Sequence, residues 1–117
     1  MLNAVVDISH HNSITSIEKV KDAGVLGIFH KATQGVGFKD PTFGPNRKII
    51  QDAGILFGAY HVGTAGEASA QADSFLSVAG ADIPLVLDFE GTPRGNEMNL
   101  TEAEEFVDHI FMATGQI

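Results

Sequence analysis

The chain has no cysteine, which excludes disulfides and cysteine-based zinc sites and leaves the redox compartment open. No apolar run approaches the ~20 residues that cross a bilayer, so a membrane partner is not expected. A leader peptide is not legible either, because Asp7 and His10 interrupt any apolar segment near the N-terminus. Basic residues are few: seven Lys and Arg stand against 15 Asp and Glu, for a net charge of −8. Nucleic acid demands a basic face, and these seven are scattered singly or in pairs, which argues against a nucleic-acid partner. What is present is 117 residues of which 44% are hydrophobic, enough apolar material for one folded domain.

Four mostly apolar runs have the length of strands buried on both faces: AVVDIS (4–9), LGIFHKAT (26–33), LFGAYHVG (56–63) and PLVLDFEG (84–91). Helix signals separate them. Thr15 to Glu18 reads as a capping box before Ile17 and Val20, and Thr101 to Glu104 reads as a second. Pro45 suits a first helical turn, and Ala68, Ala72, Phe75, Leu76 and Ala79 form one apolar stripe. The segments DAGVLGIFHKAT (22–33) and DAGILFGAYHVG (52–63) align at an offset of 30, and VAGADIPLVLDF (78–89) echoes them. In each, a glycine ends the helix and a strand follows. The predicted fold class is therefore α/β, with parallel strands, flanking helices and right-handed crossovers. ATGQI, at the C-terminus, repeats the helix–glycine pattern, and a further strand is expected there. A complete eight-stranded barrel needs roughly 200 residues or more, so four β-α units correspond either to the first part of a TIM-like (β/α) barrel or to a small open sheet.

Ligands of parallel sheets bind at the C-terminal ends of the strands, and the polar residues gather there. Asp7, Ser9, His10 and His11 end the first run, His30, Lys31 and Thr33 the second, Tyr60 and His61 the third, and Asp88 and Glu90 the fourth. Two carboxylates two residues apart on a strand share a face, with Cα atoms roughly 6.5–7 Å apart. Repulsion and desolvation then raise one pKa and separate their roles into a proton donor and an anion. Glycoside cleavage uses such a pair; solvated strand-end acids or helix caps are the ordinary alternative for an isolated D-x-E. The four histidines with Asp7 and Asp88 also raise a metal site as an alternative, although no H-x-H or H-E-x-x-H spacing occurs. In QGVGFKDPTFGPN the glycines match no phosphate-binding pattern, and the segment reads as a loop over the rim with Phe38 and Phe43 packed beneath it. The acids of EAEEF read as a solvated face near a helix N-terminus.

The ordered set VVDISHHN, FHKATQG, DPTF, GAYHVG and PLVLDFEG resembles the glycoside hydrolase family 25 lysozymes, which are retaining muramidases on an irregular β/α barrel. The resemblance runs over essentially all of residues 1–117 but over only about the first three-fifths of a family catalytic domain, so the chain reads as a partial, N-terminal half-barrel. It implies Glu90 as general acid/base, Asp88 as the carboxylate that orients the substrate's acetamido group, and Asp7 as a further acid of the same pocket. The acetamido oxygen is the implied nucleophile. Tyr60 matches an aromatic residue near the reacting sugar, and the strand-end placement adds His61, Lys31 and His10 as substrate contacts. The implied partner is a peptidoglycan glycan strand, with no cofactor and no metal, for a secreted or phage-released protein. The sequence departs from the pattern where His11 and Asn12 follow His10 in place of an aromatic residue, and where Gln34 replaces an acid. A half-barrel leaves two raw sheet edges, so a homodimer that completes the barrel, or a fragment, is expected. A groove missing half its wall raises a catalytically silent saccharide-binding or self-associating module, and the histidines raise a metal-dependent barrel hydrolase.

Overall fold

The structure, a computed structural model, describes residues 3–91 and 94–116. The chain runs β1 (Ala4–Ile8), α1 (Ile17–Asp22), β2 (Val25–Gln34), β3 (Phe38–Lys39), α2 (Phe43–Asp52), β4 (Leu56–Val62), α3 (Ala68–Ala79), β5 (Leu85–Asp88) and α4 (Leu100–Thr114). The sheet order is β1-β2-β4-β5 with every neighbour parallel, and β3 folds back antiparallel on the end of β2. The two segments that repeat at an offset of 30 become β2 and β4, lying side by side with Ile28 opposite Phe57 and His30 opposite Ala59.

Period-two alternation sends one set of side chains from each strand to the helices. Ile28, His30 and Ala32 of β2 and Phe57, Ala59 and His61 of β4 are all buried there. They pack with Phe43 and Ile50 of α2, Ala72 and Phe75 of α3, and Phe106 and Ile110 of α4. The other face of the sheet is open. Val5, Leu56 and Val86 lie there at 62%, 76% and 41% exposure. On that face Phe29 lies across β4 where Gly58 leaves room: a Cβ at position 58 would stand 2.4 Å from Phe29 Cε1.

The helix boundaries differ in detail from the sequence expectation. Ser16, not Thr15, caps α1, its hydroxyl accepting from Lys19 N–H. Asn99, not Thr101, caps α4, in a reciprocal capping box with Glu102. Pro45 falls in the first turn of α2 as expected. Gly24, Gly54, Gly80 and Gly115 follow the four helices with φ of 93°, 78°, 73° and 75°, positive values that favour glycine because it has no Cβ to clash. Ile117, where a further strand is expected, lies outside the described residues. Phe38 is not tucked beneath a loop: it forms β3 and is 37% exposed, while Phe43 alone is buried.

Candidate active site

The C-terminal ends of β1, β2, β4 and β5 open onto a trough of about 650 Å3 whose lining includes Asp7, Phe29, Tyr60, Asp88 and Glu90. Phe29 and Val86 supply the apolar floor, and the acids stand at the rim. Strand β5 ends at Asp88, two residues short of the Glu90 that a shared pleat for Asp88 and Glu90 requires. The carboxyls still meet: Asp88 and Glu90 are hydrogen-bonded to each other. Two carboxyls can share a hydrogen bond only while one of them is protonated, so this contact belongs to the singly protonated pair.

Burial, the hydrogen bond to Glu90 and the charges of Glu90 and Asp7 push Asp88 up to about 6, against a smaller opposing pull from Lys31. Asp88 is the less exposed of the two acids, and burial is the largest cause of its rise. The titration belongs to the pair. Burial first, and then the charges of Asp7, Asp88, Asp40 and Glu90, push the Tyr60 phenol up to about 12, so it stays a neutral hydrogen-bond donor over the whole working pH range.

A stability consequence follows. The folded value of Asp88 lies above its ordinary 3.8, so its contribution is fully present below 3.8 and is lost as pH rises through about 6. Asp88→Asn should leave stability unchanged near pH 4 and raise it by up to about 1 kcal/mol above pH 7, a figure discounted because the pair is open to solvent. Urea midpoints at the two pH values test this, and an equal effect at both would contradict it.

Lys31, from β2, faces the same rim. Its ammonium donates to Gln34 Oε1 at 2.6 Å and sits 4.9 Å from the Phe38 ring centre. Burial lowers its pKa, while the charges of Asp40 and Asp88 oppose that shift, so Lys31 stands within the field of both acids. His10 follows β1, its ring packed against His11 at 3.9 Å and Phe38 at 5.3 Å.

His61 is a correction. Its ring is fully buried on the helix face and cannot touch a ligand in the trough. Thr33 Oγ1 lies 2.6 Å from its Nδ1 and Gln71 Oε1 lies 2.9 Å from its Nε2. Gln71 Oε1 also accepts Thr64 N–H, and Gln71 Nε2 donates to the carbonyls of Thr64 and Gly66. With that amide oxygen fixed as an acceptor, His61 Nε2 must carry the proton and Thr33 must donate to Nδ1. Burial lowers the His61 pKa, opposed by the Gln71 hydrogen bond. The network ties α3 to the irregular register between Lys31 and Thr33 of β2, and so holds Tyr60 and Lys31 in place from behind.

His30 is likewise buried on the helix side, meeting the Lys31 carbonyl, Asn46 and Thr42. The histidines therefore do not converge with Asp7 and Asp88, and among the described residues no three His, Asp or Glu side chains could share a metal ion. Sequence reasoning missed Phe29, Gln71 and Asp40. Gln71 carried a signal, since it falls three residues after Ala68 and four before Phe75 on an otherwise apolar stripe. Glu102 was likewise read as a solvated acid; it caps α4 and accepts from the Gly66 backbone.

Residues 6–117 match the model of glycosyl hydrolases family 25. The chain belongs to that family. It is 38% identical over 98 residues to Lysozyme M1 of Streptomyces globisporus, a match covering 77% of this chain and 33% of that protein. Among solved structures it is similar to a family 25 lysozyme from Aspergillus fumigatus, with 30% identity and a TM-score of 0.84 over 94% of this chain and 60% of that one. A bacterial lysozyme from Streptomyces coelicolor gives 33% identity and a TM-score of 0.83, covering 94% and 58%. The chain thus spans about three-fifths of these solved lysozymes and a third of the Streptomyces globisporus protein. Its parallel strands and flanking helices are the N-terminal part of a family 25 TIM-like barrel.

Proposed function

We propose that this family 25 chain acts on peptidoglycan, cutting the β-1,4 bond between N-acetylmuramic acid and N-acetylglucosamine with retention. The observation that carries the reading is the hydrogen-bonded Asp88–Glu90 pair, with its elevated titration, inside a trough flanked by Asp7 and Tyr60. The acetamido N–H of a bound sugar is a donor, so it needs Asp88 as an anion, and the shared proton passes across the hydrogen bond to Glu90. The acetamido oxygen then attacks the anomeric carbon while Glu90 protonates the departing sugar oxygen. Asp88 balances the positive charge on the cyclised acetamido group. The Glu90 carboxylate next takes a proton from water, whose oxygen reopens the ring on the original face, restoring the acid. Tyr60 donates to a sugar oxygen, and Asp7 keeps the local field negative where positive charge develops.

Release of new muramic-acid reducing ends from purified cell walls, with the anomer trapped early by NMR, tests the proposal. An inverted product or an amidase product would refute it. A second reading has one observation in its favour, the exposed Val5, Leu56 and Val86 on the inner face. Two copies of this four-stranded parallel sheet supply the eight strands of a closed barrel, so a homodimer would cover that face. Sedimentation beside the assay separates the two: activity in a dimer peak alone assigns catalysis to the closed form, and a monomer without activity assigns the chain a saccharide-binding role.

A further inference from the structure

The DPTF segment is not absorbed by the chemistry above. Its aspartate, Asp40, has a side chain at 0% exposure, and among the described residues no lysine or arginine pairs with it. Four donors satisfy it instead. Oδ2 accepts the His10 backbone N–H at 2.8 Å and faces His10 Nδ1 at 3.2 Å, while Oδ1 accepts Thr42 N–H at 2.8 Å and Thr42 Oγ1–H at 2.7 Å. Burial alone would raise the carboxyl, but the hydrogen bonds from Thr42 and His10 outweigh it and hold the pKa below the usual value.

An ionised carboxylate only accepts. His10 Nδ1 must therefore carry a proton, and in the neutral ring the lone pair is left on Nε2. No hydrogen bond among the described residues engages that nitrogen, and the His10 side chain is 30% exposed. It stands in a shelf of partly exposed rings with His11 and Phe38, and Lys31, whose ammonium lies over that Phe38 ring, feels the charges of both Asp40 and Asp88. Ring faces flanked by a few fixed polar atoms are what a sugar needs: apolar C–H faces to stack and hydroxyls to orient.

We infer that Asp40 is a positioning residue that fixes the His10 ring on the rim, with Nε2 turned outward as an acceptor for a sugar hydroxyl of the bound glycan. The inference rests on the saccharide reading of the trough. It assigns Asp40 no contact with substrate, and His10 a part in binding rather than in bond cleavage.

Nitrogen-15 NMR of the imidazoles tests it, in a Glu90→Gln background that prevents turnover, with an N-acetylglucosamine–N-acetylmuramic acid tetrasaccharide as probe. His10 should be the Nδ1–H tautomer in the free chain, and the saccharide should shift its Nε2. His10→Gln and Asp40→Asn should each raise the saccharide Kd roughly three- to tenfold, and the double variant should lose no more than the worse single one, because both act through one ring. An Nε2–H tautomer in the free chain would overturn the inference. So would a saccharide that shifts Tyr60 while leaving His10 and both Kd values unmoved. No shift at either residue would overturn the saccharide reading itself and this inference with it. Should Asp40→Asn unfold, the tautomer and the exposed-site variant His10→Gln decide alone.

Discussion

Glu90→Gln is expected to lower the rate of reducing-end release by roughly a hundred- to ten-thousandfold, the contribution of a positioned general acid. The substitution keeps size and hydrogen-bonding capacity but removes a transferable proton. Because Glu90 is exposed at the end of β5, the urea midpoint should barely move, which separates a chemical loss from a folding one. The proton shared with Asp88 adds a second signature. The reactive form of the pair carries one proton, and it leaves as pH rises through about 6, so kcat/KM should fall close to tenfold per pH unit above that value. A variant that clears cell walls at the parent rate, or a parent rate still climbing at alkaline pH, would remove the pair from the mechanism.

His61→Ala should cost about 3–5 kcal/mol of stability, a large share of the ~5–15 kcal/mol a domain possesses. The ring is fully enclosed, stacked on Phe106 at 4.9 Å and beside Phe75 at 5.6 Å. Its removal leaves a cavity and strips Thr33 of a partner. His61→Phe refills the volume but not the hydrogen bonds, so it should lose less, about 1–3 kcal/mol. The two variants part again in acid. His61 and His30 have folded pKa values lowered chiefly by burial from the ordinary 6.5, so their contribution is whole above 6.5 and is lost as pH falls through the lower folded value. His61→Phe should therefore weaken the acid sensitivity of unfolding. Asp88 works in the opposite direction over part of the same range, so Asp88→Asn and His61→Phe should steepen and flatten the acid limb respectively. Denaturant titrations at several pH values would show this, and parallel curves for all three proteins would exclude both assignments.

Much of this architecture was legible in the chain. The repeat joining 22–33 to 52–63 foretold that two strands would run alike, and β2 and β4 are paired neighbours. What escaped the sequence has identifiable causes. A T-x-x-E pattern occurs within two residues of both real caps, and only the path of the backbone selects Ser16 and Asn99. Two-residue β3 is too short to carry a pattern. At the site, Asp7, Tyr60, Asp88 and Glu90 were expected together because they end apolar runs and resemble a known set, and all four line the trough. His61 went wrong for a reason that alternation itself supplies: neighbours on a strand point to opposite faces, so Tyr60 and His61 cannot both face the ligand. Asp40 was passed over because its worth depends on His10, 30 residues away in sequence.

Tyr60 has a practical corollary. The chain holds one tyrosine and no tryptophan, and that single phenol stands in the trough among the acids. The protein's near-ultraviolet emission thus originates almost wholly from one ring at the place where a guest would sit, an intrinsic optical reporter that requires no dye, label or engineered probe.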